Sequence, residues 1–303
     1  MQYQSILENI AAEVAPMIGQ GKVADYIPAL ARVPIGQFGI ALHTVDGRHA
    51  AAGDAATPFS IQSVSKVLGL TLGLQALGPS LWDRIGREPS GNAFNSLVQL
   101  ESERGKPRNP FINAGALCVA DRLLSAHADP ARVFAELGRK LDCEPFGFDL
   151  EVARSERETG FRNAALVNFI KSFGQIDNDV EDVLALYCHQ CSIISNCSEL
   201  AHAFGYLANG GEQPGTGQRI VDREQARRIN ALMLTCGTYD AAGEFAFKVG
   251  VPCKSGVGGA IVAVIPDTLV LCAWSPGLDD TGNSVVARRA LELFVTRTGL
   301  SVF

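Results

Sequence analysis

The chain has 303 residues, of which 47% are hydrophobic, and its 26 basic and 32 acidic residues give a net charge of −6. It has no basic cluster and no run of eighteen apolar residues, so we expect neither nucleic acid nor a membrane as a partner. The length and the apolar fraction suffice for a sizeable core in one large domain or in two lobes.

Residues 2–19 show the periodicity of an amphipathic helix and end in a glycine-rich stop. Residues 37–45 are rich in β-branched and apolar side chains, and residues 48–52 are a plausible return strand after the turn at Asp46-Gly47. The chain is therefore predicted to begin with a helix and a hairpin.

The middle of the chain is predicted to be mostly helical. Apolar residues recur there with the period of amphipathic helices, and loops rich in Gly, Pro and Asn, such as residues 86–95, separate the segments. The predicted helices are residues 67–76, 114–127, 130–141, 162–173, 180–191, 197–209 and 223–233.

The end of the chain returns to β structure. Apolar residues alternate with smaller or polar ones at 245–251, and residues 260–265 and 269–274 predict two strands joined by a turn. A last helix is predicted at residues 284–297. We expect the strands from both chain ends to form one antiparallel sheet, covered by the first and last helices.

The predicted fold class is α/β (α+β), organised as a single domain with two lobes. The sheet lobe takes residues 1–62 and 235–303, and the inserted helical lobe takes residues 63–234. We expect the active site where the lobes meet, as clefts between lobes are common ligand sites.

The cysteines bear on the cellular compartment. The eight cysteines are scattered in mostly apolar surroundings, and residues 1–10 do not have the pattern of a secretory signal. Both observations favour a cytoplasmic protein without a disulfide framework. Cys188 and Cys191 have the spacing of half a zinc site, but without a second ligand pair we favour two core-facing thiols and expect no metal and no cofactor.

Ser63 and Lys66 have the spacing Ser-x-x-Lys at the start of a predicted helix, where residues three apart share one face. A neutral, buried Lys can take the proton of a Ser hydroxyl and make it a nucleophile. Lys254-Ser255-Gly256 follows on a predicted edge strand, as the Lys-Thr-Gly motif does in Ser-Lys enzymes. Taken alone, the first motif also fits a Ser-capped helix with a solvated Lys.

Together with further stretches, these two motifs resemble the glutaminase family, in the right order through nearly the whole chain. The resemblance implies a β-lactamase/transpeptidase-like fold and the hydrolysis of L-glutamine to L-glutamate and ammonia by an amidohydrolase. The stretches are NPFINAGA (109–116), SERETGFRN (155–163), YCHQCS (187–192), LANGG (207–211), CGTYD (236–240), KSGVGG (254–259), CAWSPGLD (272–279) and GNS (282–284).

The resemblance implies roles for single residues. Ser63 would be the nucleophile and Lys66 its general base, with the Lys66 pKa lowered by burial or by the nearby cation of Lys254. A tyrosine, Tyr239 or Tyr187, would relay the proton to the departing ammonia. The substrate-binding residues implied are Ser63, Asn113, Glu156, Asn163, Tyr187, Tyr239 and Val257.

The side chains suit these roles. Glu156 offers a carboxylate to an α-ammonium group, while Asn113 and Asn163 can bond the α-carboxylate and the side-chain amide. Val257 can contribute only its backbone N–H, which would form an oxyanion hole with the N–H of Ser63.

Each residue taken singly also has an ordinary structural explanation. Asn113 and Asn163 stand where helix caps occur, and Tyr187 fits a helix core. Glu156 stands in a charged stretch typical of a surface loop, and Lys254 could be a solvated strand end.

Two other functions remain alternatives. A β-lactam hydrolase or peptidase of the same fold would need an export signal and a closer Glu–Asn pair than Glu156 and Asn163. A non-catalytic amino-acid sensor would not need to keep Ser63, Lys66 and Lys254. The resemblance also implies a homo-oligomer, either a dimer or a tetramer.

Overall fold

The structure is a computed structural model that describes residues 2–91 and 96–303, so part of the predicted loop at 86–95 lies outside the described residues. The strands are β1 Gly39–Thr44, β2 His49–Gly53, β3 Phe59–Ser60, β4 Gly147–Phe148, β5 Ile193–Ser195, β6 Cys253–Ser255, β7 Ala260–Ile265 and β8 Leu269–Trp274.

Helices connect these strands and make up most of the middle of the chain. None of the helices in the described ranges is long and apolar enough to span a membrane. The α-helices are α1 Tyr3–Val14, α2 Ser65–Leu77, α3 Val98–Ser102, α4 Asn113–Ala126, α5 Pro130–Lys140, α6 Leu150–Thr159, α7 Phe161–Ser172, α8 Val180–Cys191, α9 Cys197–Ala203, α10 Gly205–Ala208, α11 Arg223–Cys236, α12 Ala242–Lys248 and α13 Val285–Thr298. Short 3-10 helices lie at Ala15–Met17, Leu30–Arg32, Gln62–Val64, Gly78–Asp83 and Tyr239–Ala241.

A five-stranded antiparallel sheet joins the two ends of the chain, in the order β2-β1-β8-β7-β6. Helices α1 and α13 cover one face of this sheet, where Leu7, Ile10 and Phe294 are buried in one apolar cluster with strand residues. The expected sheet and its two covering helices are therefore confirmed. Strand β6, which carries Lys254, is at the edge as predicted.

The opposite face of the sheet packs against the helical part of the chain. Val262, Val270 and Trp274 belong to the same apolar cluster as residues of α2, α4 and α8. Helix α2 is buried continuously from Ser65 to Leu74. A helix that is apolar all round belongs in the core. The packing around α2 therefore fixes Ser65 and Lys66, the first two residues of this helix.

A second, small sheet was not predicted from the sequence. Its order is β3-β5-β4, with antiparallel pairs joining Phe59 to Ser195 and Gly147 to Ile194. The strands have only two or three residues, too few for an alternating pattern to be visible. This sheet brings together the segment before α2, the end of α8 and the start of α6.

Two predicted elements were wrong. The alternation at 245–251 predicted a strand, but Ala242–Lys248 is helix α12, in which Phe245 is buried and Phe247 is 86% exposed. A Glu244–Lys248 ion pair at i, i+4 supports the helix. The single helix predicted at 197–209 is two helices, α9 and α10, which meet at Phe204.

Candidate active site

Ser63 lies at the junction between the small sheet and the central helix. It is in the 3-10 turn Gln62–Val64, and Lys66 is in the first turn of α2, so a 3-10 turn precedes the predicted helix. Both side chains are buried, with 7% of Ser63 and 2% of Lys66 exposed. A Ser cap with a solvated Lys is therefore wrong as an explanation of this motif.

The backbone before Ser63 has an unusual conformation. Gln62 has a φ of +50°, in the left-handed region that non-glycine residues seldom adopt. The turn after β6 packs against this segment so closely that a Cβ on Gly256 would lie 3.2 Å from the Ser63 nitrogen, and one on Gly258 would lie 2.3 Å from the Ser60 oxygen. Glycine is thus required in KSGVGG for backbone to approach backbone.

The Lys66 ammonium group is held by an amide. Its Nζ donates to Asn113 Oδ1 at 2.6 Å, and Asn113 Nδ2 in turn donates to Asn163 Oδ1 at 2.9 Å. Burial lowers the pKa of Lys66 to about 8. Lys254 does not contribute to the lowering of the Lys66 pKa, which burial explains. In the other direction, the charge of Lys66 adds to burial in lowering the pKa of Lys254.

Neither asparagine is a helix cap. Helix α4 begins at Asn113 itself and α7 follows Gly160, and within the described part of the chain no side chain caps either N-terminus. Asn113 and Asn163 are instead joined to each other and to Lys66, across two helices. The capping explanation is therefore wrong for both.

Lys254 and Tyr239 form the wall behind Ser63. Lys254 is fully buried, its Nζ donates to the Ser255 oxygen at 2.5 Å, and it lies 4.5 Å from the centre of the Tyr239 ring. Tyr239 has a φ of +59°, and its hydroxyl interacts with Ser63 and donates to the Ser255 oxygen at 3.3 Å. Burial raises the pKa of Tyr239 to about 12. The explanation of Lys254 as a solvated charge at a strand end is thus wrong.

Glu156 is buried, contrary to its expected place in an exposed loop. It lies on α6, a helix that the sequence did not predict, and only 7% of it is exposed. Burial raises the pKa of Glu156 to about 7. The charge of Lys66 and interactions with the side chains of Cys191 and Gln62 lower this pKa but do not outweigh burial. The Glu156 Oε2 atom has no hydrogen-bond partner among the described residues. The residue also lines a cavity together with Ser63, where its ionised carboxylate would suit a cationic ligand.

Tyr187 lies one helix away, on α8, with its ring 5.7 Å from Lys66 Nζ. It is almost fully buried and also lines the cavity, so it is both a core residue and a site residue. Burial raises the pKa of Tyr187 well above its ordinary value.

A cavity of about 110 Å³ unites the predicted residues. Six of the seven implied substrate-binding residues line it: Ser63, Asn113, Glu156, Asn163, Tyr187 and Val257. Tyr239 lies behind Ser63. The Val257 N–H, in the turn after β6, has no acceptor among the described residues, which leaves it available to a ligand oxygen.

Sequence reasoning missed several residues of this cavity. Tyr26 and Ile27 form part of its wall, in a segment tied to α6 by a bond from the Ala29 N–H to Ser155 Oγ at 3.1 Å. No pattern in the sequence marks that segment. Gln62 and Arg162, by contrast, stand directly beside Ser63 and Asn163, and their positions alone could have suggested them.

Sequence comparison relates the chain to glutaminases. The profile of the glutaminase family matches residues 21–303. A glutaminase of Rhizobium meliloti (strain 1021) is 54% identical over 99% of this chain and 96% of its own length. A glutaminase of Paraburkholderia phytofirmans is 53% identical, with both chains fully covered.

Solved structures have the same architecture. A Bacillus glutaminase superposes with a TM-score of 0.92 at 33% identity, with both chains fully covered. A probable glutaminase from Bacillus subtilis, complexed with 6-diazo-5-oxo-L-norleucine, gives a TM-score of 0.91 at 32% identity over 100% of this chain and 97% of its own. Such structures have the β-lactamase-like fold, so the expected fold class is confirmed.

The buried carboxyl of Glu156 predicts a pH-dependent stability. Its pKa rises from 4.5 to about 7 on folding, so between these values the folded state binds the proton more tightly than the unfolded state. The free energy of unfolding therefore falls as pH rises through this window, by about 3 kcal/mol in total. Glutamine does not ionise, so the Glu156→Gln variant should not lose this stability as pH rises. The difference in Tm, variant minus parent protein, should therefore be larger at pH 8 than at pH 5.

Differential scanning fluorimetry at the two pH values checks this expectation. Glu158→Gln is the matched control, because Glu158 is an exposed residue on the same helix, and its difference from the parent should not change with pH. A pH-independent difference for Glu156→Gln as well would contradict the burial argument.

Proposed function

The chain belongs to the glutaminase family, and we propose that it hydrolyses L-glutamine through a γ-glutamyl ester on Ser63. As a glutaminase it is an amidohydrolase that yields L-glutamate and ammonia. The observation that carries the mechanism is the burial of Ser63, Lys66 and Tyr239 at one end of a cavity that suits an amino acid.

Lys66 is the general base in this proposal. With a pKa of about 8, roughly a tenth of Lys66 is neutral at pH 7 and half is neutral at pH 8. The neutral amine can accept the Ser63 proton as the hydroxyl attacks the γ-amide carbon. Tyr239, with a pKa of about 12, keeps its proton throughout this range. It is therefore a donor and relay rather than a base.

We assign the relay to Tyr239 rather than Tyr187. The Tyr239 hydroxyl interacts with Ser63 itself, next to the atom that the leaving ammonia departs from. Tyr187 is held instead beside Glu156 and Cys191. The proton passes from Ser63 to Lys66 and, through Tyr239, to the departing amine, after which water hydrolyses the ester.

Substrate binding follows from the other end of the cavity. The carboxylate of Glu156 would receive the α-ammonium group of glutamine, and Asn163 and Asn113 would bond its carboxylate and its side-chain amide. The N–H groups of Ser63 and Val257 would form the oxyanion hole. The close packing of Gly256 against the Ser63 nitrogen supports this pairing, because Val257 directly follows Gly256.

We propose one catalytic domain with the sheet lobe and the helical lobe described from the sequence, in a cytoplasmic homo-oligomer. The eight free thiols support a reducing compartment. Exposed side chains such as Phe161 and Leu150 support association.

Light scattering should give a mass of two or four times the 32.2 kDa chain, and a monomer would contradict the oligomer.

Ser63→Ala tests the nucleophile. Ammonia release from L-glutamine should fall by roughly a thousandfold or more, because no covalent intermediate can form. Calorimetry should still detect glutamine binding, because the cavity is unchanged. L-asparagine and a chromogenic β-lactam serve as alternative substrates, and preferential β-lactam cleavage would favour the rival hydrolase.

Ser65→Ala is the matched control for this variant. Ser65 lies two residues away on the same buried segment, and its Oγ has no hydrogen-bond partner among the described residues. It should keep near-normal activity. Full activity in Ser63→Ala would refute the mechanism, and glutamine binding without turnover in the parent protein would favour the sensor.

The pH dependence of kcat/KM tests Lys66 and Glu156 together. Lys66 must lose its proton near pH 8 and Glu156 near pH 7, so activity should fall with decreasing pH, tenfold per unit below 8 and more steeply below 7. In Glu156→Gln the steeper part should disappear. A flat profile between pH 6 and 8 in the parent protein would exclude Lys66 as the base.

A further inference from the structure

The tryptophan of the CAWSPGLD motif contacts the turn that carries Val257. Trp274 is the last residue of β8, and only 1% of it is exposed. Its neighbours across the sheet are two small residues, Gly39 on β1 and Ala260 on β7. Its ring stacks on Phe59 of β3, with the ring centres 4.7 Å apart. The indole therefore lies between the large sheet and the strand that precedes the nucleophile.

The turn after β6 runs from Gly256 to Gly259, and a hydrogen bond ties it to this indole. The Gly259 N–H closes the turn by donating to the Gly256 oxygen at 2.9 Å. The Trp274 Nε1–H donates to the Gly258 carbonyl oxygen, also at 2.9 Å. Gly258 directly follows Val257 in the chain. The indole thus holds the backbone next to the residue whose N–H is proposed for the oxyanion hole.

The composition of the turn explains why it needs such a bond. Three of its four residues are glycine, the residue with the greatest backbone freedom. The Val257 side chain is buried in an apolar cluster with Ile27 and Leu278, but apolar contacts are not directional. A hydrogen bond has a preferred angle as well as a distance. The bond from Trp274 can therefore set the orientation of the turn, which apolar packing alone cannot.

We propose that Trp274 is a positioning residue for the oxyanion hole, whose indole N–H holds the turn so that the Val257 N–H points at the oxygen of the attacked amide. The inference rests on the proposed oxyanion role of Val257. Negative charge develops on that oxygen only as Ser63 attacks. A misdirected N–H would therefore slow the chemical step and leave the binding of L-glutamine almost unchanged.

Trp274→Phe removes the N–H and keeps an aromatic ring beside Phe59. The kcat for L-glutamine should fall roughly tenfold, which is part of the loss that follows removal of a whole oxyanion-hole donor. KM should stay within about twofold of the parent value, because the lost interaction acts in the transition state. Steady-state kinetics of ammonia release measures both constants.

Trp82→Phe is the matched control, because the chain has only two tryptophans. Trp82 is half-buried in the 3-10 helix Gly78–Asp83 and packs beside Arg87. Its replacement should leave kcat and KM unchanged. A parental kcat in Trp274→Phe, or a loss of activity that is carried by KM, would overturn the proposal.

An isosteric amino acid separates the hydrogen bond from packing. Benzothienylalanine has the shape of tryptophan, with a sulfur atom in place of the indole N–H. In the Trp82→Phe background Trp274 is the one remaining tryptophan, so the isostere can replace it alone. We expect the same fall in kcat at unchanged KM. A parental kcat in this protein would refute the positioning role, and the test holds even if Trp274→Phe does not fold.

A spectroscopic measurement distinguishes failure of this inference from failure of the proposed function. In protein labelled with nitrogen-15 valine, the amide signal of Val257 is identified by its loss in Val257→Ile. This signal should shift when benzothienylalanine replaces Trp274, because the turn loses its hydrogen bond while the ring stays in place. Such a shift supports the positioning role even if the parent protein releases no ammonia. An unshifted signal refutes the role even if the parent protein is a fully active glutaminase.

Discussion

The site depends on the burial of three ionisable side chains, Lys66, Glu156 and Lys254, around one cavity. Burial opposes charge on each of them, so it lowers the pKa of both lysines and raises that of the glutamate. A Lys near pH 8 and a Glu near pH 7 are poised for proton transfer and binding at physiological pH. The same residues on the surface would be permanently charged, and Lys66 could not accept a proton.

Such burial requires rigid support, which the two sheets supply. The edge strand β6 places Lys254, while the short strands β3, β4 and β5 fix the beginnings or ends of the segments that carry Ser63, Glu156 and Tyr187. The strained φ of Gln62 and of Tyr239 can persist because the surrounding packing determines it. Both strained residues lie next to the reactive hydroxyl, where a small change of direction matters most.

The sequence predicted the long elements well and the short ones poorly. Helices such as α8 were found at their full length, because twelve residues display the helical period. Strand β4 has two residues and no pattern, and helix α6 was missed because its apolar residues are few and its surface is charged. The site residues were predicted from the order of motifs along the chain. Their contacts, such as that between Asn113 and Asn163, join segments fifty residues apart and depend on packing that no local pattern encodes.

The mutual effect of Lys66 and Glu156 connects binding to catalysis. In this structure the negative carboxylate raises the pKa of Lys66, and the positive Lys66 lowers that of Glu156. Under the proposed roles, a bound α-ammonium group neutralises the carboxylate and removes the attraction that keeps the proton on Lys66. Substrate binding would then increase the neutral fraction of Lys66. As a result, kcat would begin to fall at a lower pH than kcat/KM does. A base activated by its own substrate would account for the burial of Glu156 in the same cavity as Lys66 rather than at the surface.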